Sequence, residues 1–120
     1  MPSPVRPRLR PWRRGHALKQ KELCSLLGIK STTHISRIER GARSPSLEIA
    51  IACEVLTGEP LNFLFGERYS EVELKTLVRV RKFLRRIEDV QTISAVRKKE
   101  LLGDILVRAA ERNHQPEHVE

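Results

Sequence analysis

An all-α fold is what this sequence predicts, and three observations carry the prediction. Apolar residues recur three or four positions apart along most of the chain. No stretch alternates apolar and polar residues for long enough to make a strand. Glycines fall at the ends of the apolar runs, where helices stop. The composition agrees: 39% of the 120 residues are apolar but only 4% are aromatic, which is lean for one thick core and sufficient for several amphipathic helices. A chain of this length holds one compact domain, or a small domain with an appendage, and large two-domain enzymes are excluded.

The elements follow in order. Pro2, Pro4, Pro7 and Pro11 alternate with Arg6, Arg8 and Arg10, so residues 1–8 are expected to form an extended, mobile basic arm. A short first helix over about residues 9–14 puts Leu9 and Trp12 on one face, accommodates Pro11 in its first turn and should end at Gly15. The second, over about 19–27, carries Leu23, Leu26 and Leu27 around Cys24 and stops at Gly28. The third, over about 32–40, follows Ser31 as an N-cap, buries Ile35 and Ile38 and ends at Gly41.

Ser44-Pro45-Ser46 is a strong start signal for a fourth helix, which carries Leu47, Ile49, Ala50, Ile51, Cys53, Val55 and Leu56 before Gly58. A helix so apolar is expected to be surrounded by others. Pro60 then opens a short fifth helix with Leu61, Phe63, Leu64 and Phe65, closed by Gly66. These five helices make an expected domain over residues 9–66.

A hairpin is expected over residues 69–112. Ser70-Glu71-Val72-Glu73 fits a capping box, so a sixth helix should begin there and reach about Asp89, with Leu74, Leu77, Val80, Leu84 and Ile87 on one stripe. Ile93, Val96, Leu101, Leu102, Ile105, Leu106 and Ala109 mark a seventh, and the short connection makes the two antiparallel. Residues 113–120 are polar, contain Pro116 and should fray.

The chain carries a formal charge of +8, and the charge is concentrated. Residues 1–43 hold eleven Lys and Arg against Glu22 and Glu39, a balance of +9, while residues 44–120 balance at −1. A polyanion-binding surface is therefore expected in the first third. The stretches Gln20-Lys21-Glu22-Leu23, Leu27-Gly28, Ile35-Ser36-Arg37-Ile38-Glu39-Arg40-Gly41 and Arg43-Ser44-Pro45-Ser46-Leu47-Glu48 have the layout of a helix-turn-helix: two short helices, a glycine-containing turn, and a second helix with a polar outer face. Such a motif reads DNA by laying its second helix in the major groove, where base edges differ in donors, acceptors and methyl groups. From about Leu9 to Phe65 the sequence resembles the lambda-repressor-like, Cro-type, xenobiotic-response-element (XRE) family of bacterial and phage regulators.

The resemblance implies roles residue by residue. Thr32, Thr33, His34 and Arg37 match outward positions of the recognition helix and are implied base contacts. Gln20, Lys30, Ser31, Arg40 and Arg43 are implied phosphate contacts, the last two through side chains or backbone amides around Gly41. Arg13 and Glu39 match a pair that ties the first helix to the end of the third. Between Gly28 and Ile35 lie six residues where the family pattern has five, so either the turn is longer by one or the third helix begins one residue early. Arg37, inside the intact Ile-Ser-Arg-Ile-Glu run, is the firmer candidate for base contact.

Other chemistries find little support. No Gly-rich phosphate loop, paired carboxylates in an apolar setting, or nucleophile with a base at suitable spacing is present, so neither enzyme activity nor a cofactor is expected. His114 and His118 are four apart, but Pro116 between them argues against a metal pair. Cys24 and Cys53 read as small core residues of a reducing compartment. No run is long enough to span a membrane and the start lacks the apolar region of a signal peptide, so the cytoplasm is the expected location.

The expected function is sequence-specific binding of double-stranded DNA by a homodimeric transcriptional regulator, a repressor in the first reading. Leu77, Val80, Leu84, Ile87, Leu102 and Leu106 of the hairpin are its expected dimer interface, against a simpler role in completing the core. An antitoxin-like or other protein-interaction module using the hairpin is the competing reading, and non-specific nucleic-acid binding is a third. Deleting residues 1–7 is expected to lower DNA affinity and flatten its salt dependence; equal binding curves for the full-length and truncated chains would remove the arm from the interface.

Overall fold

The computed structural model describes residues 6–114, which form seven helices and, among the described residues, no strand. Four helices precede a single-turn element: α1 (Leu9–Gly15), α2 (Gln20–Leu27), α3 (Thr32–Glu39), α4 (Leu47–Thr57) and the short α5 (Leu61–Leu64). Two long helices follow, α6 (Gly66–Ile87) and α7 (Ile93–His114). The chain divides into two compact units after Glu71, within α6. None of the described helices is long and apolar enough to cross a membrane. His118 and the remainder of the expected tail beyond His114, like residues 1–5 of the expected arm, lie outside the described residues.

The core of the first unit is assembled by the ends of its helices as much as by their faces. Leu9, Leu23, Ile35, Ile38, Cys53 and Leu64 are almost wholly buried, with Trp12, Ile49, Leu56 and Leu61 packed partly against them. Gly28 ends α2 in the left-handed region at φ +72°, and the Ile29 amide donates to the Cys24 carbonyl at 2.9 Å. That bond turns the chain sharply enough to put Ile29 back into the core. Ser31 then caps α3, its hydroxyl accepting from the Thr33 amide at 3.2 Å, and Ser46 caps α4 by accepting from the Ile49 amide at 3.3 Å. Cys24 and Cys53 are free, buried thiols. Burial raises both, Cys53 to about 11, and for Cys24 the Glu39 carboxylate adds to the effect.

Three sequence expectations need correction. The fourth helix is not enclosed: only Ala50 and Cys53 are buried, while Leu47, Ile51 and Val55 stand 73%, 51% and 77% exposed, one turn apart on one face. A small unit has too few helices to cover every side of an apolar one, and the face toward Ile49, Cys53 and Leu56 takes the core. Leu26 of α2 is exposed for the same reason. The sixth helix starts at Gly66, not at a Ser70 capping box. Phe65, buried with φ −126° and ψ 49°, breaks the chain after α5, and Tyr69 already donates to the Phe65 carbonyl at 2.9 Å. Ser70 is therefore inside α6. Finally, the described part of the expected mobile arm is held down. The Arg8 amide donates to the Leu64 carbonyl at 2.9 Å and its guanidinium lies 4.3 Å over the Phe63 ring. As expected, α1 ends at Gly15, and the turn after it carries Ala17 at φ +58°.

In the second unit α6 and α7 run antiparallel. Glu73, near the start of the unit, forms an ion pair with Arg112 and accepts from the Asn113 side chain at 3.3 Å, while Lys99 Nζ donates to the Glu88 and Val90 carbonyls at 3.0 and 2.7 Å. Thr92 caps α7, accepting from the Ala95 amide at 3.1 Å. Val80, Ala95 and Ala109 are buried; Leu77, Leu84, Ile87, Leu102 and Leu106 are half-buried along the same seam. The spacing 77, 80, 84, 87 matches the alternation of three and four that keeps one helix stripe facing another. Gly103 lies in the middle of α7, and a Cβ added there meets nothing within 4 Å. Gly103→Ala is therefore expected to stabilise the chain by up to about 1 kcal/mol, the difference in helix propensity. A urea midpoint that falls instead would show that something packs against this glycine.

Candidate nucleic-acid interface

The site begins with the placement of α3. Ile35, Ile38 and Glu39 face inward, which turns Thr33, Ser36, Arg37 and Arg40 outward by the helical repeat. Thr32, Thr33, Arg37 and Arg40 are exposed, and His34 is half-buried on the flank. Lys30 and Ser31 are exposed in the turn between α2 and α3. Because Ser31 is the cap, Thr32 is the first helical residue, and the turn from Gly28 to Ser31 has the length and the glycine of a helix-turn-helix connection.

What holds α3 in place is a buried polar network. Arg13 of α1 grips Glu39 with two bonds, Nε to Oε2 at 2.6 Å and a terminal nitrogen to Oε1 at 3.1 Å, and its other terminal nitrogen donates to the Leu18 carbonyl at 2.9 Å. The Gln20 amide nitrogen donates to Glu39 Oε1 at 3.0 Å. Glu39 is 1% exposed and Arg13 7%. The bidentate geometry suits a guanidinium facing a carboxylate, and it ties α1, α2 and α3 together at one point. The sequence reading paired Arg13 with Glu39 but missed that Gln20 belongs to the same network. Its position at the first residue of α2 was the available signal, since a side chain there can reach the end of the neighbouring helix. One amide hydrogen of Gln20 remains for an outside acceptor.

The loop after α3 has a definite shape. Gly41 at φ +78° lets the Ala42 amide donate back to the Arg37 carbonyl at 2.9 Å, with Gly41 donating to Ile38 at 3.1 Å and Arg43 to Arg37 at 3.3 Å. Three successive amides are thus engaged within the chain, and the loop is left with the Arg40 and Arg43 side chains to offer a polyanion. Arg40 Nε donates to the Ser36 carbonyl at 3.3 Å, which leaves its terminal nitrogens outward. A Cβ on Gly41 would lie 3.3 Å from Pro7 Cδ, so the position needs glycine for space as well as for backbone conformation. Arg68 reaches the Gly41 carbonyl at 3.4 Å and pairs with Glu71 at 3.5 Å.

The structure therefore brings Thr32, Thr33, His34, Arg37, Arg40, Arg43, Lys30, Ser31 and Gln20 into one unit, with the Arg13–Glu39 pair beneath them. Leu77, Val80, Leu84, Ile87, Leu102 and Leu106 belong to the other unit. Among the described residues no cluster of side chains has the makings of a metal site.

Arg13→Met is expected to cost about 3–5 kcal/mol, because it strands Glu39 in the core without its partner. The double substitution Arg13→Met with Glu39→Met should recover most of that loss, since it removes both buried charges. Urea denaturation of the two variants checks the pair; equal losses would show that packing, and not charge pairing, dominates here.

Comparison with known proteins agrees with this geometry. A family model described as helix-turn-helix matches residues 9–64. No curated protein and no solved structure matches the chain. The matched segment contains α1 to α5, the capped turn and the outward face of α3, and residues 9–64 are a lambda-repressor/Cro-like helix-turn-helix domain.

Proposed function

We propose that this chain is a sequence-specific transcriptional regulator that binds double-stranded DNA as a homodimer and represses by occupying its site. The observation that carries the reading is the outward face of α3, polar, exposed and free of acidic residues, on a scaffold pinned by Arg13, Gln20 and Glu39. Thr32, Thr33, His34 and Arg37 would meet base edges. Gln20, Lys30, Ser31, Arg40 and Arg43 would meet phosphates on either side and set affinity and salt dependence. The half-buried seam residues Leu77, Leu84, Ile87, Leu102 and Leu106 support dimerisation, since a second hairpin would finish their burial and hold two recognition helices about 34 Å apart. No catalytic step or cofactor enters this function, and its place is the cytoplasm, with the DNA.

Selection of bound sequences from a random duplex pool tests the reading. A palindrome with half-sites one helical turn apart is expected, and Arg37→Ala should weaken binding by about 1–3 kcal/mol while relaxing choice at one base of each half-site. Equal affinity for all sequences would overturn it in favour of non-specific binding. A second reading, a protein-interaction module, is favoured by the exposed stripe of Leu47, Ile51 and Val55 on α4. It predicts a stoichiometric protein partner on purification in place of a homodimer.

A further inference from the structure

Four arginines lie together around α1 and the residues just before it. Arg6, Arg8, Arg10 and Arg14 line a recess of about 390 Å³ together with Pro7, Pro11 and Glu39. The one carboxylate there is already engaged, holding Arg13 and Gln20. None of the four guanidinium groups has a carboxylate within ion-pairing distance among the described residues.

The cluster is set in place and not merely crowded. Arg8 is fixed by the hydrogen bond its amide donates to the Leu64 carbonyl and by stacking on Phe63, which immobilises its flat face and leaves its N–H edge without a partner among the described residues. Arg10 and Arg14 are one turn apart on α1, where like charges repel. Arg10 Nε is shut off from solvent and has no acceptor among the described residues, an arrangement that is costly for a charged group. Converging guanidinium groups with unused donors match the oxygens of a phosphate group.

We propose that Arg6, Arg8, Arg10 and Arg14 form a phosphate-ester site, separate from the base-reading surface of α3. The phosphate comes either from the DNA backbone beyond the base pairs read by α3 or from a free phosphorylated molecule, and the chemistry is the same in both. The site stands independently of the regulator reading, because it needs no preferred base sequence.

The test uses the full-length chain. Binding to a duplex of arbitrary sequence is followed by fluorescence anisotropy over a range of salt, and binding of inorganic phosphate by calorimetry. The double variant R10Q/R14Q is expected to bind the duplex about tenfold more weakly, with a salt slope smaller by about two, if DNA supplies the phosphate. If a free molecule supplies it, inorganic phosphate binds the unaltered chain at one site and the double variant at none, with duplex binding unchanged. Either result supports the site and names its source. Absence of both effects overturns it. R14E, at an exposed position that does not touch the core, gives the same readouts should R10Q/R14Q fail to fold. A regulator reading that fails would show itself separately, as loss of sequence preference in the unaltered chain.

Discussion

The first unit depends on the bond between Arg13 and Glu39. Its helices are short, between four and eleven residues from α1 to α5, and isolated helices of such length are marginal in water. Their orientation has to come from tertiary contacts, and a carboxylate almost wholly hidden from water is a demanding one. Glu39 must find donors or destabilise the fold, and it finds them on α1 through Arg13 and on α2 through Gln20. The pair contributes little net free energy against a well-packed apolar substitute, but it permits few alternative arrangements of α3. A helix that presents side chains to a groove benefits from that restriction more than from added stability.

The same logic extends to the segments on either side of α3. Before it, Gly28 reverses the chain and Ile29 anchors the turn in the core, so Lys30 and Ser31 are left on a short, fixed connection. After it, Gly41 folds three amides back onto the helix end, and Pro7 rests against that glycine. The positive charge of the first third is thereby divided in two. One group, with Arg37, Arg40 and Arg43, surrounds the outward face of α3. The other, with Arg6, Arg8, Arg10 and Arg14, gathers around a recess at α1, where charge that the composition shows only as an excess acquires a shape.

The second unit is organised differently. Its two long helices are joined by polar contacts at both ends, Glu73 with Arg112 at one and Lys99 with the Glu88 and Val90 carbonyls at the other. Between them only Val80, Ala95 and Ala109 are fully buried, and the larger apolar residues of the seam keep part of their surface. Two helices alone cannot enclose large side chains, so a hairpin of this kind exposes apolar area by geometry, whatever its partner.

The all-α class, the helix-turn-helix and the concentration of charge near its start were legible in the sequence, because each rests on local signals: apolar spacing, N-cap serines, glycines at helix ends. Arg37 could be placed on the outward face from the same periodicity, since Ile35 and Ile38 define the inward one. What periodicity cannot supply is which apolar surface finds a neighbour. Leu47, Ile51 and Val55 read as core residues yet lie in solvent, and Ser70 and Glu73 read as a helix start, although Phe65 had already set the break by packing into the core. The sequence by itself determined the helices and the motif, through interactions spanning one or two turns. Only the tertiary structure decided the burial of α4, the third member of the Arg13–Glu39 network and the gathering of four arginines, because these depend on contacts between residues far apart in the chain.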